Sequence, residues 1–440
     1  MTARWAPFTN MKTLADEPGF VVDHADGVYV WDEEGRRYLD GHAGLWLVNV
    51  GYGQESIIRA MQEQTAQLAW FPSFGGTANR PSLELSERLV DILEPDGMAS
   101  VFFSNDGSEA VETALKMARL YWIAKGQPRK VKFVGRQYGY HGVTFGALSV
   151  AGITSNRTLF EPLLPSVAHG PAPYASHCPY HGPDSPCSWA CVAEMERIIQ
   201  FEDPSTIAAL IAEPVQAAGG VIIPPPGYVE KLRELCRRYG ILFIADEVVT
   251  AFGRLGTWTG SRYYGIQPDL MTFAKGLTSG YMPLGATAVS ADVVNTILTL
   301  PGEGPEFRHG NTYSGHPVAC AAALANLQLL EDGALFDNAT AMGRHLGQRL
   351  EELVAKYPQR LRYPGSIGLL GRVEVIARNT EPAGHTALVI AAEMRKRGVI
   401  IRVAGDILTF SPPLIIQEGE IDTLTRALDG VLQDLPPGEV

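Results

Sequence analysis

Ile241-Leu-Phe-Ile-Ala-Asp-Glu-Val248 and Leu270-Met-Thr-Phe-Ala-Lys-Gly276 decide how the rest of the chain is read. Each is a short apolar run that ends on a charged residue, Asp246 in the first and Lys275 in the second. Runs of this length without polar alternation read as strands buried on both faces. A buried acid and a buried lysine are each costly unless something pairs with them. The plainer reading, a capping aspartate and a surface lysine, fits the apolar flanks less well.

The pattern repeats along the chain. Short apolar runs at 100–104, 131–134, 207–212, 241–245, 269–273 and 285–289 alternate with amphipathic stretches at 108–124, 190–201 and 227–239. That alternation predicts an α/β fold with a mostly parallel sheet covered on both faces. Residues 21–40 read as a hairpin, Val28-Tyr-Val-Trp31 and Arg37-Tyr-Leu39 joined by the turn Asp32-Glu-Glu-Gly35. After 315 the texture changes to helices at 317–331 and 339–356, strands near 370–376 and 399–410, and a helix near 418–433. The expected division is an N-terminal part of a small domain over 1–60, a large domain over 61–315, and the rest of the small domain over 316–440.

At 440 residues, with 46% hydrophobic and 19% charged residues, the chain has the balance of a folded globular protein. A net charge of −12 argues against a nucleic-acid partner or an anionic membrane surface. With no apolar run of membrane length and no leader-like start, a cytoplasmic setting is expected. An odd five cysteines fits reduced thiols. Cys178, Cys187 and Cys191 cluster in a proline-rich insertion beside His177 and His181. Their spacing matches no paired-cysteine finger, so no metal is expected.

Four further segments carry polar residues where strands end. Ser104-Asn-Asp-Gly-Ser-Glu109 joins a strand to a helix. Gly107 permits a tight turn, and the helix N-terminus at Ser108 offers free N–H groups to a phosphate. Asp106 must then point away or cap the helix, since it would repel that anion. Tyr138-Gly-Tyr-His-Gly142 offers Tyr140 for stacking on a flat ring, or equally for packing on the core. Glu213, in Glu213-Pro-Val-Gln216, ends a strand where α/β sheets place ligands. Thr312 offers a hydroxyl to some anion. Pyridoxal phosphate (PLP) uses a lysine amine, a carboxylate at its pyridine nitrogen and a phosphate cradle, and so accounts for Lys275, Asp246 and the turn at Gly107 together.

These segments resemble the class III aminotransferases, PLP enzymes of fold type I, over nearly the whole chain. The resemblance rests on Asn105-Asp-Gly-Ser108, Tyr140-His-Gly142, Glu213-Pro-Val-Gln216, Asp246-Glu-Val248, Ala274-Lys-Gly276 and Thr312-Tyr-Ser-Gly-His-Pro317. It implies a large domain around a mostly parallel central sheet and a smaller α+β domain from both termini. It implies Lys275 as the Schiff-base lysine, Asp246 on the pyridine nitrogen, and Tyr140 and Val248 about the ring. His141 and Glu213 would stand beside the cofactor, with Gly107 and Ser108 on its phosphate. Thr312 would reach the neighbouring subunit's phosphate, in a homodimer or a tetramer of such dimers.

Ornithine- and 4-aminobutyrate-type members carry a gate glutamate two residues after Glu-Pro-x-Gln, and ornithine-type members an arginine before Phe-x-Pro-Pro-Leu. This chain has Ala218 and Thr409 there. Trp46 and Arg402 instead resemble the pyruvate-dependent ω-aminotransferases of the β-alanine, taurine and amine type. That implies an amine donor, a keto-acid acceptor and a ping-pong scheme, with Arg402 as the carboxylate anchor. The pocket around Trp46 is expected to be small and apolar apart from that arginine. A 2-oxoglutarate-dependent aminotransferase, or a racemase, aminomutase or decarboxylase using the same lysine and aspartate, is the alternative.

Overall fold

Residues that alternate between two apolar faces fix the centre of the molecule. The computed structural model describes residues 4–16, 19–182, 187–300, 306–377 and 382–435. Its main sheet has seven strands in the order Met98–Ser104, Gly285–Ser290, Leu270–Phe273, Leu242–Asp246, Ile207–Ala212, Lys132–Arg136, Val167–Gly170. Neighbours pair in parallel except Gly285–Ser290, which is antiparallel to both of its own. Every residue of Ile207–Ala212, Leu242–Asp246 and Leu270–Phe273 is buried. Ile211 and Ile244 pack under helix Gly107–Ala124 with Val111, Ala114 and Ala118. Leu210, Phe243 and Ala245 face the opposite core with Leu232 and Leu235 of helix Tyr228–Arg238. Burial on both faces is why these strands read as unbroken apolar runs.

Two smaller sheets use the chain ends. Val22–Asp26, Tyr29–Asp32 and Arg37–Asp40 form an antiparallel ribbon. Val399–Ile400 joins it in parallel, Val399 opposite Leu39 and Ile400 opposite Asp40. The second sheet runs Leu361–Ile367, Leu370–Val375, Ile407–Phe410, Arg402–Ala404. The buried guanidinium of Arg254 ties these parts together. It donates to the carbonyls of Leu369 (3.3 Å) and Pro412 (2.6 Å) and to Asn49 Oδ1 (2.7 Å). Among the described residues no single helix is long and apolar enough to cross a membrane.

The expected strands and helices form, and the described residues add helices including Glu55–Gln67, Arg80–Leu93 and His385–Lys396, as well as three further strands. Val22–Asp26 and Val167–Gly170 lie at sheet edges and carry little apolar signal, because each is paired on one side only. Leu361–Ile367, for which no element was expected, contains Pro364 and Gly365, residues that weaken a strand. The pairing shifts register between Arg362 and Gly365, and that irregularity admits them. The stretch 399–410 is three strands, interrupted at Ile401 and at the turn around Gly405.

Candidate active site

The carboxyl ends of the parallel strands open into one cavity of about 1250 Å³. It is lined by Asp106, Gly107 and Ser108 after the first strand, Tyr140 and His141 after Lys132–Arg136, and Glu213 after Ile207–Ala212. Asp246, Val248 and Lys275 complete this inner wall. Open α/β sheets place ligands at this edge.

Asp246 is 4% exposed, and both its carboxylate oxygens have partners. His141 Nδ1 lies 2.7 Å from Oδ2, while Thr272 Oγ1 (3.1 Å) and the Val248 amide (3.2 Å) donate to Oδ1. His141 is itself buried, and its Nε2 has no partner. It therefore acts on the site through Asp246, as a positioning residue. Thr272 was not foreseen. A hydroxyl in the otherwise apolar strand Leu270–Phe273 was the signal for it.

Lys275 follows that strand with a positive φ of 39°. Its amine is held below the usual lysine range, first by burial and then by the charge of Arg402, against the pull of Asp246 and Glu213. Glu213 accepts from the Tyr140 amide at 3.0 Å and so orients the loop that carries that ring. Burial pushes its carboxyl up to about 7, with Asp246 adding to the rise and His141 and Arg136 opposing it.

The inner wall fits PLP. Gly107 begins helix Gly107–Ala124, and a Cβ there would come within 3.1 Å of both Val248 methyls, so the backbone must approach bare. Gly142, at φ +122°, lies against Ser108. Asp106 caps the helix by accepting from the Glu109 amide at 2.9 Å, which takes its charge away from the N–H groups of the turn. These are the parts of an anion cradle beside a basic amine and a supported carboxylate. Thr312 lies exposed and outside this cavity.

At the middle of the cavity Trp46, 4% exposed and at φ 60°, carries the Arg402 guanidinium over its ring at 4.5 Å. Arg402 Nε is buried without a partner, and among the described residues Arg402 forms no ion pair. Ala218 lines the same wall, and Thr409 lies opposite Arg402 across two strands. The expectation of a small pocket that is apolar apart from Arg402 is corrected here. The cavity continues outward past Trp46 to Arg362, Glu374 and Asp406. Arg362 and Glu374 of this outer wall stand on the paired strands Leu361–Ile367 and Leu370–Val375, and Asp406 on the turn between Arg402–Ala404 and Ile407–Phe410.

His42 packs edge-on against Trp46, ring centroids 4.6 Å apart. Burial, with Arg402, Arg254 and Lys275 nearby, lowers its pKa to about 3. An unfolded imidazole titrates near 6.5, so between these values only the unfolded chain takes up the proton. Stability is therefore full above pH ~6.5 and falls with decreasing pH, by up to about 1.4 kcal/mol per pH unit for this group. His42→Gln should flatten the fall of Tm between about pH 6.5 and 4. Parallel Tm curves for variant and parent would show that His42 is not the group responsible.

The model of the family described as aminotransferase class-III matches residues 11–432. The chain is 40% identical to putrescine–pyruvate aminotransferase of Pseudomonas aeruginosa over 95% of its own length and 91% of that protein's. It is 36% identical to β-alanine–pyruvate aminotransferase of the same species, over 99% and 96%. Its fold matches a PLP-bound amine transaminase from an uncultivated Pseudomonas species with a TM-score of 0.95. The identity there is 40%, and the match covers 98% of this chain and 99% of that one.

Proposed function

We propose that this chain, which belongs to the class-III aminotransferases, moves an amino group from a primary amine to pyruvate and so forms alanine. Its cofactor is PLP, as in the similar amine transaminase. The residues that would hold it are Lys275 at the aldehyde, Asp246 at the pyridine nitrogen, Tyr140 and Val248 about the ring, and Gly107 with Ser108 at the phosphate. When bound, PLP supplies an electron sink for the pair left on the donor carbon.

The chain's own residues do the rest. Lys275, its basicity lowered by burial, would take the proton from the donor carbon and return it at C4′ of the cofactor, and would run the same transfer in reverse with the keto acid. Asp246, held in place by His141 and Thr272, would favour a cationic ring nitrogen. Trp46 and Leu45 line the cavity as apolar surface for an uncharged amine substituent.

One observation carries the choice of acceptor. Arg402 is a half-buried cation whose buried Nε has no partner and which, among the described residues, forms no ion pair, beside Trp46 and in the same cavity as Lys275. Such a charge is costly until a carboxylate meets it. Pyruvate brings one carboxylate, and Ala218 and Thr409 supply no gate pair for handling glutamate. Arg402→Ala should cost the pyruvate half-reaction about 2–5 kcal/mol. Single-turnover conversion of 1-phenylethylamine to its ketone should be nearly spared, because it brings no carboxylate. Equal losses in both halves would remove Arg402 as the anchor. Faster turnover of the parent with 2-oxoglutarate than with pyruvate would remove the acceptor assignment.

We place the enzyme in the cytoplasm as a homodimer, with Thr312 serving the neighbour's phosphate. Five cysteines without disulfides support a reducing setting. Trp70, Phe71, Phe74 and Tyr313, exposed near Thr312, support a partner surface.

A further inference from the structure

The outer wall of the cavity holds a charged cluster that the aminotransfer reading leaves unused. Arg362 and Glu374 face each other across paired strands. The Glu374 carboxylate is 4% exposed, and both its oxygens are engaged. Oε1 accepts from Arg362 Nε (2.9 Å) and Nη2 (2.6 Å). Oε2 meets His177 Nε2 (2.7 Å) and Arg372 Nη2 (3.5 Å). Arg372 lies over the Tyr174 ring at 5.3 Å, and its Nε is buried without a partner. Arg362, Glu374, His177 and Tyr174 all line the cavity that contains Lys275. Among the described residues Arg362 Nη1 has no acceptor. The other acid of this wall, Asp406, accepts from the Gly384 amide at 2.7 Å.

The charges do not cancel. On the lining Arg362 and Arg402 balance Glu374 and Asp406, and Arg372, buried behind Glu374, adds the one positive charge in excess. Glu374, already held by two arginines and a histidine, has little left for a ligand ammonium. A free guanidinium edge in a walled, partly dry site suits a carboxylate or sulfonate.

We propose that Arg362, backed by Arg372 and set by Glu374 and His177, is an outer anion subsite. It takes the distal carboxylate of an amino donor whose amine stands at Lys275. This rests on the aminotransfer reading above and narrows its donor to ω-amino acids over diamines of equal length, because a second ammonium would meet a net positive wall.

The test compares kcat/KM with pyruvate for ω-amino carboxylates of four to eight carbons, the matching alkylamines and the matching diamines. At one chain length the amino carboxylate should exceed the alkylamine about tenfold, through KM, and the diamine should rank last. Arg362→Gln should remove that advantage and Arg362→Lys restore part of it. Arg362 is half-exposed, so these variants should fold. Diamines outpacing amino carboxylates at every length, or an unchanged ratio in Arg362→Gln, would overturn the subsite. A thermal-shift titration with hexanoate, which carries no amine, reads the subsite without turnover. A rise in Tm that Arg362→Gln abolishes supports the subsite even if no alanine forms, an outcome that would defeat the aminotransfer reading alone. A rise that survives Arg362→Gln, or none at all, overturns the subsite even where alanine does form.

Discussion

Lys275→Ala should form no alanine from any amine with pyruvate, a loss of at least about 10⁴-fold, while its melting temperature stays close to the parent's. On the proposed assignment the amine is both the cofactor's covalent anchor and the base at the donor carbon, and among the described residues no second lysine lines the cavity. Burial lowers its basicity from the usual lysine range, which favours the uncharged amine that can accept a proton. The parent should purify yellow. Borohydride should then fix the cofactor to the peptide that contains Lys275, and the variant should show no such label. Label recovered on another lysine would refute the assignment, whatever the activity.

Asp246→Asn should lower kcat by roughly 10²- to 10³-fold at saturating PLP, about 3–4 kcal/mol, with little change in fold. The variant keeps the shape of the side chain and much of its bonding to Thr272 and the Val248 amide. It removes the one charge that favours a protonated ring nitrogen. His141 also loses its anionic partner, so part of the cost arises one residue back from the ring. Turnover near the parent's, in an enzyme shown spectroscopically to be full of PLP, would refute the electrostatic role.

Residues read from the sequence and residues missed by it differ in the range of the contacts that define them. Asp246 and Lys275 end strands buried on both faces, so the apolar runs mark them directly. Gly107 and Asp106 announce themselves by local turn and capping chemistry, and Asp106 caps as that chemistry demands. His42, by contrast, matters because it packs on Trp46 and bonds Ser411, far away in the chain, at 3.2 Å. Trp46 sits at a positive φ in a broken helical turn, a conformation that no propensity of tryptophan suggests. Arg362 and Glu374 meet only because the pairing shifts at Pro364 and Gly365. No expected element covers residues 361–367, so the polar outer wall that this strand carries was not anticipated.

The parallel pairing of Val399–Ile400 with Leu39–Asp40 has an evolutionary consequence. Trp46 follows shortly after one of these strands and Arg402 shortly after the other, so their mutual placement is set where the two chain ends meet. Lys275, Asp246 and Gly107 belong to the middle of the chain and to another sheet. If Trp46 and Arg402 hold the substrates as proposed, substitutions in the segments that pair these strands would retune which amine is accepted while the groups proposed for bond making stay as they are. Selectivity and chemistry are heritable apart, so a lineage can try new nitrogen sources without risking the reaction itself.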